Sequence, residues 1–561
     1  MRSERLNVRQ KLRLTLFLGC IVLGVAGWRR ADATILAGSP ATTQSAYDWP
    51  QFDGDAQHSG NNTQEWLISR TNVAELTRMF QVSLPSVADG APVYLHDVST
   101  PLGPRDLLFV TTVDGHLIAL DAHDGALVWS KQYPAGSCTT PGDGPCFTTS
   151  SPVVDPDRLS VYSYGLDGKV HKYQVADGVE IFGAGWPETA TLKGSTEKGS
   201  SALAVATAAS GTSYLYVANG GYPGDAGDYQ GHITAIDLTT GAQTVFNTVC
   251  SDRAVHFGLP GEAGTTDCSE VQSAVWARAG VVYDAQTNQL YAATGNGDYR
   301  PSQYDWGDSV FTLHPDGTGS NGDPLDSFTP SDYQQLQNGD TDLGSTAPAI
   351  LPVPRNSSVQ HLAVQGGKDA LLRLLNLDDL SGHSAPGYTG GEVGTPIPVP
   401  QSGEVLTQPA VWVNPADGQT WVFVATDRGL AGLELQVAGN GMPSLQPAWQ
   451  EGSGGTSPIV ANGILYQATR SNSVVALDPT TGTKLWQGTI GGIHWESPVV
   501  ANGVLYVTDG RSHVTAFAPP GPPACPPTAT PAVSTSMSPS VTFNRHLFLP
   551  LVTNQSSGVC Y

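Results

Sequence analysis

Basic residues are scarce in this chain. Only 27 of its 561 residues are Lys or Arg, against 50 Asp or Glu, and the formal net charge is −23. A surface of that sign repels phosphate backbones, so nucleic acid is not expected as a partner. The sequence lacks a Cys-x-x-Cys-His motif, a Cys-x-x-Cys pair, a glycine-rich phosphate loop and a Gly-x-Ser-x-Gly motif. These absences exclude covalent haem c and give no support for a zinc site, a nucleotide loop or a serine hydrolase.

Turn-forming residues, in contrast, are abundant, with 64 Gly and 41 Pro. This composition favours an all-β chain of short strands joined by turns. The segment TSPIVANGILYQATRSNSVVALDPTTGTKLWQG, from Thr456, is repeated as ESPVVANGVLYVTDGRSHVTAFAP, from Glu496. The segment VDGHLIALDAHDGALVW, which ends at Trp129, matches the first of these. A period of about 40 residues with four short strands is typical of a β-propeller blade.

The pattern predicts an eight-bladed propeller over residues 72–518. Its eight units open near Ala91, Ser150, Ser200, Ser273, Ser345, Gln408, Thr456 and Glu496. The eighth unit stops at Ala518 after three strands, so its outer strand must come from elsewhere. We expect Asn72–Leu84 to supply that strand beside Val514–Phe517 and so to close the ring.

The two ends of the chain carry different signals. Residues 1–33 have a basic start, an apolar run and an Ala-Asp-Ala site, which predict a signal peptide; a retained anchor and a lipidated Cys20 remain open. A lead-in segment (34–71) precedes the propeller. A Pro/Thr/Ser-rich linker (519–543) and a short apolar tail (544–561) follow it. We therefore expect an extracytoplasmic monomer with no transmembrane domain in the mature chain.

Outside the signal peptide there are six cysteines. An even number in an exported chain indicates disulfides. Proximity in the sequence favours the pairs Cys138–Cys146, Cys250–Cys268 and Cys525–Cys560.

Several segments resemble one known family. YDWPQFDGDAQHSGNN (47–62), and DTDLGSTAPAILP with AVQGGKDALLRLLNLDDLSG within Asp340–Gly382, are similar to the eight-bladed propellers with pyrroloquinoline quinone (PQQ)-like repeats. That family includes PQQ-dependent alcohol dehydrogenases and a non-catalytic scaffold of outer-membrane assembly. The resemblance implies the fold more strongly than any activity, because one fold hosts many functions.

The resemblance also implies site positions. In the dehydrogenases of the family a Trp stacks on the quinone, a Glu and an Asn bind Ca²⁺, and an Asp acts as base. Trp276 matches the stacking position, although a packing role in the blade is an alternative. Asn296, in a Thr-Gly-Asn sequence, matches the calcium-binding Asn, although Asn-Gly is also ordinary turn chemistry.

The two acidic positions are altered. Ala226 stands where the family has its Glu, and Asp225 or Asp228 substitutes for it only if the loop shifts. His314 stands at the position of the base. Calcium needs hard oxygen ligands, so the loss of the Glu weakens the metal site.

These changes favour a non-catalytic binding or scaffold module. It would bind an unidentified protein or small molecule through a face rich in long loops, with no bound cofactor and no oxidation of alcohols. The long loops are Gly220–Gly231, Cys250–Cys268, Gly295–Asp308 and His314–Thr341. The alternative is an alcohol or sugar dehydrogenase that depends on PQQ and calcium. The sequence His494-Trp495-Glu496, ahead of the last inner strand, is predicted to be structural.

Overall fold

The repeat pattern folds as short antiparallel strands. The computed structural model describes residues 45–133, 138–142 and 144–521. The predicted signal peptide, the tail, Cys20 and the pair Cys525–Cys560 lie outside the described residues. Two Asn-Gly turns show why the repeats reverse direction so tightly: Asn462 and Gly463 have φ of 48° and 67°, and Asn502 and Gly503 have φ of 49° and 82°. Positive φ at both central residues gives the turn whose twist matches paired strands.

The strands form eight sheets, which we call blades 1 to 8 in chain order. Blade 1 contains Val93–Thr100, Gly103–Thr111, His116–Asp121 and Leu127–Gln132. Blade 2 contains Val153–Val154, Ser160–Tyr164, Lys169–Gln174 and Glu188–Thr189. Blade 3 contains Glu197–Gly199, Ala204–Thr207, Ser213–Gly221, His232–Asp237 and Gln243–Asn247. Blade 4 contains Val282–Asp284, Gln289–Ala293, Val310–Leu313 and Asp326–Phe328, and carries a small ribbon of Tyr299–Arg300 and Asp305–Trp306.

The second half of the ring continues the pattern. Blade 5 contains Ala349–Leu351, Leu362–Gln365, Leu371–Asn376 and Ile397–Pro398. Blade 6 contains Ala410–Val413, Thr420–Ala425, Leu430–Val437 and Pro443–Glu451. Blade 7 contains Ile459–Ala461, Ile464–Thr469, Ser473–Leu477 and Lys484–Thr489, with Asn61–Asn62 beside its first strand. Blade 8 contains Val499–Ala501, Val504–Asp509, His513–Ala518 and Thr77–Ser83.

Helical structure is minor. The described residues hold one α-helix, Tyr333–Gly339, and the 3₁₀ turns Val73–Glu75, Pro301–Gln303 and Leu343–Ser345. None of these helices has the length and apolar character needed to cross a membrane.

The predicted closure of the ring is confirmed. Thr77–Ser83 pairs antiparallel with His513–Ala518, with Val82 opposite Val514. The strand is shorter than the predicted Asn72–Leu84, because Val73–Glu75 forms a 3₁₀ turn before it. The missing fourth strand of blade 8 is therefore supplied by the other end of the chain.

The core is divided among the blade interfaces. Each of the eight pairs of neighbouring blades shares one buried apolar cluster, including the pair of blades 8 and 1. A single blade is too thin to bury both of its faces, so the neighbours must stack. Continuous packing around the ring is the energetic reason for closure.

The lead-in segment crosses the inner edges of the blades. Pro50 O accepts from Val154 N of blade 2, and Gly60 O accepts from Val460 N of blade 7. Phe52 is fully buried in the same apolar cluster as Ala277 of the loop before blade 4. Residues 50–60 of the lead-in segment thus contact the first strands of blades on both halves of the ring.

Two of the predicted disulfides are confirmed. Cys138 pairs with Cys146, with their Cα atoms 5.6 Å apart. Cys250 pairs with Cys268, with their Cα atoms 6.3 Å apart. Each bridge closes a loop on the ring.

Candidate functional site

A cavity of about 350 Å³ lies where loops of blades 2, 3, 4, 5 and 8 converge. Its lining residues occupy two kinds of position. Some come before the first long strand of a blade, and the others lie at or just after the C-terminal end of the next strand. Because neighbouring strands are antiparallel, these two positions share one end of the blade. The side chains that matter below are Phe147, Lys198, Asp225, Trp276, Arg278, Asn296, Asp340, Asp342, Lys368, His494 and Trp495.

Trp276 and Asn296 are brought together by two backbone hydrogen bonds within blade 4. Ser273 N donates to Asn296 O at 2.9 Å, and Gly295 N donates to Ala274 O at 2.9 Å. Gly295 has to be glycine, because a Cβ there would lie 2.3 Å from Asp342 Oδ1 and 2.9 Å from Trp276 Nε1. The loop before the first strand and the loop after the second are thereby joined at the cavity.

Asp225 lies beside Asn296. Asn296 Nδ2 donates to Asp225 Oδ2 at 3.3 Å, and the Tyr229 hydroxyl donates to Asp225 Oδ1 at 2.5 Å. Burial and the Asp225 charge raise the pKa of Tyr229, which therefore stays a hydrogen-bond donor. Asp225 adopts a positive φ of 51°, and this turn directs its carboxylate into the cavity.

Blade 5 adds two carboxylates and an ammonium group. Asp342 Oδ1 accepts from Asn296 N at 2.6 Å. Lys368 Nζ contacts Asp342, lies 3.2 Å from Asp340 Oδ1, and lies 5.3 Å from the centre of the Trp276 ring. Burial disfavours the charge of Lys368, but Asp342 and Asp340 outweigh it and raise its pKa. Lys368 is therefore a permanent cation between two acids and an aromatic face.

Two more cations lie deeper. Arg278 is fully buried and donates to the carbonyls of Ser200 (3.2 Å), Asp89 (3.0 Å) and Thr149 (3.1 Å), so that it links four blades. Lys198 Nζ lies 4.2 Å from the centre of the Phe147 ring. Burial lowers the pKa of Lys198 to about 7. An anion in the cavity would hold this amine in its charged form.

The loop before blade 8 contributes an imidazole. His494 Nδ1 lies 2.7 Å from Asp89 Oδ2, and Trp495 N donates to Asp89 Oδ1 at 2.9 Å. The Trp495 ring lies 6.4 Å from the Trp276 ring in an edge-on arrangement. Glu496 is fully buried behind these residues, and its Oε2 accepts from His494 N at 2.5 Å.

The three residues that the sequence matched to quinone or calcium positions and that line the cavity meet here. Trp276, Asn296 and Asp225 line the same cavity. Asp228 does not line it: its carboxylate lies 2.9 Å from the buried Lys193 Nζ. Of the two aspartates considered as replacements for the family's Glu, Asp225 contacts Asn296 and Asp228 does not line the cavity.

His314, at the expected position of the base, does not line the cavity. It is exposed and begins the turn after Val310–Leu313, where its N–H donates to Thr318 O. The cavity receives residues that follow the second strand of a blade, and a third strand runs back to the opposite end. His314 therefore lies away from this cavity because it follows a third strand and not a second.

No motif in the sequence had singled out five further lining residues: Lys198, Arg278, Asp340, Asp342 and Lys368. A signal for the last three was present. The Asp-Thr-Asp sequence precedes the first strand of blade 5 as Trp276 precedes that of blade 4, and Lys368 follows the second strand as Asn296 does. Superposing the repeats would have found them. No comparable signal distinguishes Lys198 or Arg278.

The cavity offers only some of the oxygen ligands that Ca²⁺ requires. Within residues 45–133, 138–142 and 144–521, no three His, Cys, Asp or Glu side chains form an arrangement that could hold a metal ion. Asp225 and Asn296 offer carboxylate and amide oxygens, which are the hard ligands that Ca²⁺ prefers. Because Ca²⁺ takes six to eight oxygens, a bound ligand and water would have to supply the others. The pair fits a cation that is shared with a ligand.

The family profile described as outer membrane protein assembly factor BamB matches residues 70–297 and 409–519. The matched ranges make up more than half of the chain. The protein therefore belongs to this family of propellers with PQQ-like repeats. No curated protein sequence matches it.

Solved structures with a similar fold include two quinohemoprotein alcohol dehydrogenases. The one from Pseudomonas putida has a TM-score of 0.56 at 16% identity, covering 84% of this chain and 80% of that one. The one from Comamonas testosteroni has a TM-score of 0.56 at 17% identity, covering 86% and 82%. A europium-containing methanol dehydrogenase has a TM-score of 0.56 at 14% identity, covering 84% and 98%. At these identities the likeness shows the fold alone.

Proposed function

We propose that the cavity binds a quinone of the PQQ class together with a calcium ion, and that the protein is a quinone-dependent dehydrogenase of alcohols or sugars. The observation that carries this proposal is the contact of the Asp225 carboxylate with the Asn296 amide in a cavity that Trp276 also lines. A non-catalytic function was favoured because Ala226 and His314 stand at the acidic positions of the family. The carboxylates of Asp225, Asp340 and Asp342 come from other sequence positions but line the same cavity, and they support a dehydrogenase instead.

The rest of the lining supports a planar, negatively charged ligand. Lys198, Arg278 and Lys368 supply positive charge, and Trp276 and Trp495 supply aromatic faces. PQQ is a planar tricarboxylate, so both features suit it. A volume of about 350 Å³ is at the lower end of the range for small-molecule pockets.

Each residue has a distinct part in the proposal. The quinone, when bound, supplies the acceptor for the hydride that leaves the substrate carbon. Trp276 would support the ring of the quinone, while Asp225 and Asn296 would hold the calcium ion. Lys368 pairs with Asp340 and Asp342 and would neutralise negative charge at the edge of the quinone.

The sequence and the disulfides support a location outside the cytoplasm. The pairs Cys138–Cys146 and Cys250–Cys268 are compatible with an oxidising compartment. We propose that residues 1–33 direct export, that residues 519–543 act as a linker to the tail at 544–561, and that the protein is an extracytoplasmic monomer.

One observation favours a second candidate, a non-catalytic binding module. The carboxylates of the cavity are already engaged without a metal: Asp225 by the Tyr229 hydroxyl and Asn296, and Asp340 and Asp342 by Lys368. A site with its acids paired in this way could retain a ligand without turning over a substrate.

Dye-linked oxidation of a primary alcohol after incubation with PQQ and Ca²⁺ separates the two candidates. We expect the wild type to turn over and Asp225→Asn to lose at least about tenfold in activity, because the calcium site loses its only charged ligand. Asp228→Asn is the matched control: it changes the same loop, three residues further on, outside the cavity. It should retain activity.

Quinone binding without turnover would support the second candidate. Absence of both binding and turnover in the wild type would contradict the proposal. Equal losses in Asp225→Asn and Asp228→Asn would indicate damage to the loop rather than loss of a calcium ligand.

A further inference from the structure

His494 and Asp89 form a pair with the geometry of an oriented base. His494 lines the cavity and its side chain is 61% exposed, whereas the Asp89 side chain is 6% exposed. His494 Nδ1 lies 2.7 Å from Asp89 Oδ2, and Trp495 N holds the other oxygen at 2.9 Å. The Asp89 carboxylate is therefore held at both oxygens, one by the His494 ring and the other by the Trp495 backbone.

This arrangement defines the tautomer of the imidazole. Burial opposes the charge of Asp89, but the hydrogen bonds and charge of His494 and the charge of Arg278 lower its pKa below the ordinary value. An ionised carboxylate only accepts hydrogen bonds, so Nδ1 carries the proton. In the neutral form of the ring, Nε2 then has a free lone pair, and the ring lines the cavity.

We propose that His494 exchanges protons with the substrate in the cavity through Nε2, with Asp89 as its positioning residue. The inference rests on the proposed dehydrogenase function and adds the proton acceptor. The O–H bond of an alcohol breaks and its proton forms an N–H bond at Nε2. The hydride leaves the same alcohol carbon for the quinone acceptor, a carbonyl product departs, and the imidazolium returns its proton to solvent.

The surrounding charges favour His494 for this role. Asp342 has both oxygens engaged, one by Asn296 N and the other by Lys368, and Asp340 pairs with Lys368 through Oδ1. Glu496 is fully buried and has no access to substrate. Imidazole is the side chain that exchanges protons near neutral pH.

Four other titratable groups lie around His494. Asp89 and Glu496 carry or can carry negative charge, Arg278 carries positive charge, and Lys198 can carry it. A transition in the pH profile is therefore assigned to His494 only if substitution of His494 removes it.

The first test is the nitrogen NMR spectrum of histidine-labelled full-length protein without ligand, with His494 assigned by His494→Gln. At pH 8 we expect a protonated Nδ1 and an unprotonated Nε2, and we expect Asp89→Asn to shift the ring toward the Nε2–H tautomer. An Nε2–H tautomer in the wild type would overturn the proposal.

The second test is the pH profile of turnover with PQQ and Ca²⁺. His494→Gln should lower kcat at least about a hundredfold with little change in KM, and should remove one ionisation from the profile. His361→Gln is the control, because His361 also pairs with an aspartate (Asp378, 2.6 Å) but does not line the cavity.

An unchanged kcat and profile in His494→Gln would refute this proposal alone. Absence of turnover in the wild type would refute the proposed function and this inference with it. The two failures are thus distinguishable.

Discussion

At the scale of single residues, Glu496 couples the stability of the ring to pH. Its side chain is fully buried and its Oε1 has no partner. Burial, and then the charge of Asp89, raise the pKa of Glu496 from 4.5 to about 8. Below pH 4.5 the carboxyl is protonated in both the folded and the unfolded chain. Between these values only the unfolded chain releases the proton, so the free energy of unfolding falls as pH rises.

We therefore expect Glu496→Gln to stabilise the protein at pH 8 and to leave it unchanged at pH 4.5. A full pKa unit corresponds to about 1.4 kcal/mol, so a gain of a few kcal/mol is the upper limit. Urea unfolding at both pH values measures the difference. Glu404→Gln, which changes an exposed glutamate, should show no such dependence. An equal effect of Glu496→Gln at both pH values would contradict the assignment.

At the scale of elements, a Trp in the outer strand of one blade contacts a Gly in a turn of the next blade. The Trp449 ring of blade 6 lies over Gly482 of blade 7, where a Cβ would meet it at 2.6 Å, and Trp449 Nε1 donates to Pro479 O at 2.8 Å. Trp129 of blade 1 covers Gly178 of blade 2 in the same way. A Trp in the outer strand of one blade thus packs against the turn of the next blade.

Gly482→Ala tests this contact against a matched control. Gly482 has φ +69° and Gly418 has φ +75°, and each donates its N–H to the carbonyl four residues earlier. A Cβ at Gly418 would meet nothing within 4 Å. Backbone strain is therefore common to both variants, and we expect Gly482→Ala to cost about 1–3 kcal/mol more than Gly418→Ala in urea unfolding. Equal losses would show that Trp449 yields to the added methyl group.

The elements also show what the sequence could and could not predict. The Asn-Gly turns and the 40-residue repeat are patterns of neighbouring residues in the sequence. They were sufficient to predict the blades and the closing strand. The position of Asp225 depends on its positive φ and on bonds to Tyr229 and Asn296, which no local pattern encodes. His314 lies outside the cavity because it follows the third strand of its blade, and a motif match does not encode strand direction.

At the scale of the whole molecule, the two ends of the described chain stabilise each other. Thr77–Ser83 completes blade 8, and the cluster between blades 8 and 1 includes Tyr47 and Trp49 of the lead-in segment. Removing these parts would leave an open sheet edge and expose apolar surface.

We expect a chain that begins at Ala46 to unfold cooperatively, with a Tm within a few degrees of the full chain. A chain that begins at Pro85 should lose the single cooperative transition or aggregate. Calorimetry of the two chains measures the contribution of closure. Cooperative unfolding of the shorter chain at the same Tm would contradict the account of the ring.

The central claim is that the cavity is a site for a quinone and a cation. Isothermal titration of PQQ into the full-length protein, with Ca²⁺ or with a chelator, tests it most directly. The account predicts saturable one-to-one binding that weakens at least about tenfold when calcium is removed, because Asp225 and Asn296 share the ion with the ligand. Absence of quinone binding, or binding of equal affinity with and without calcium, would contradict it.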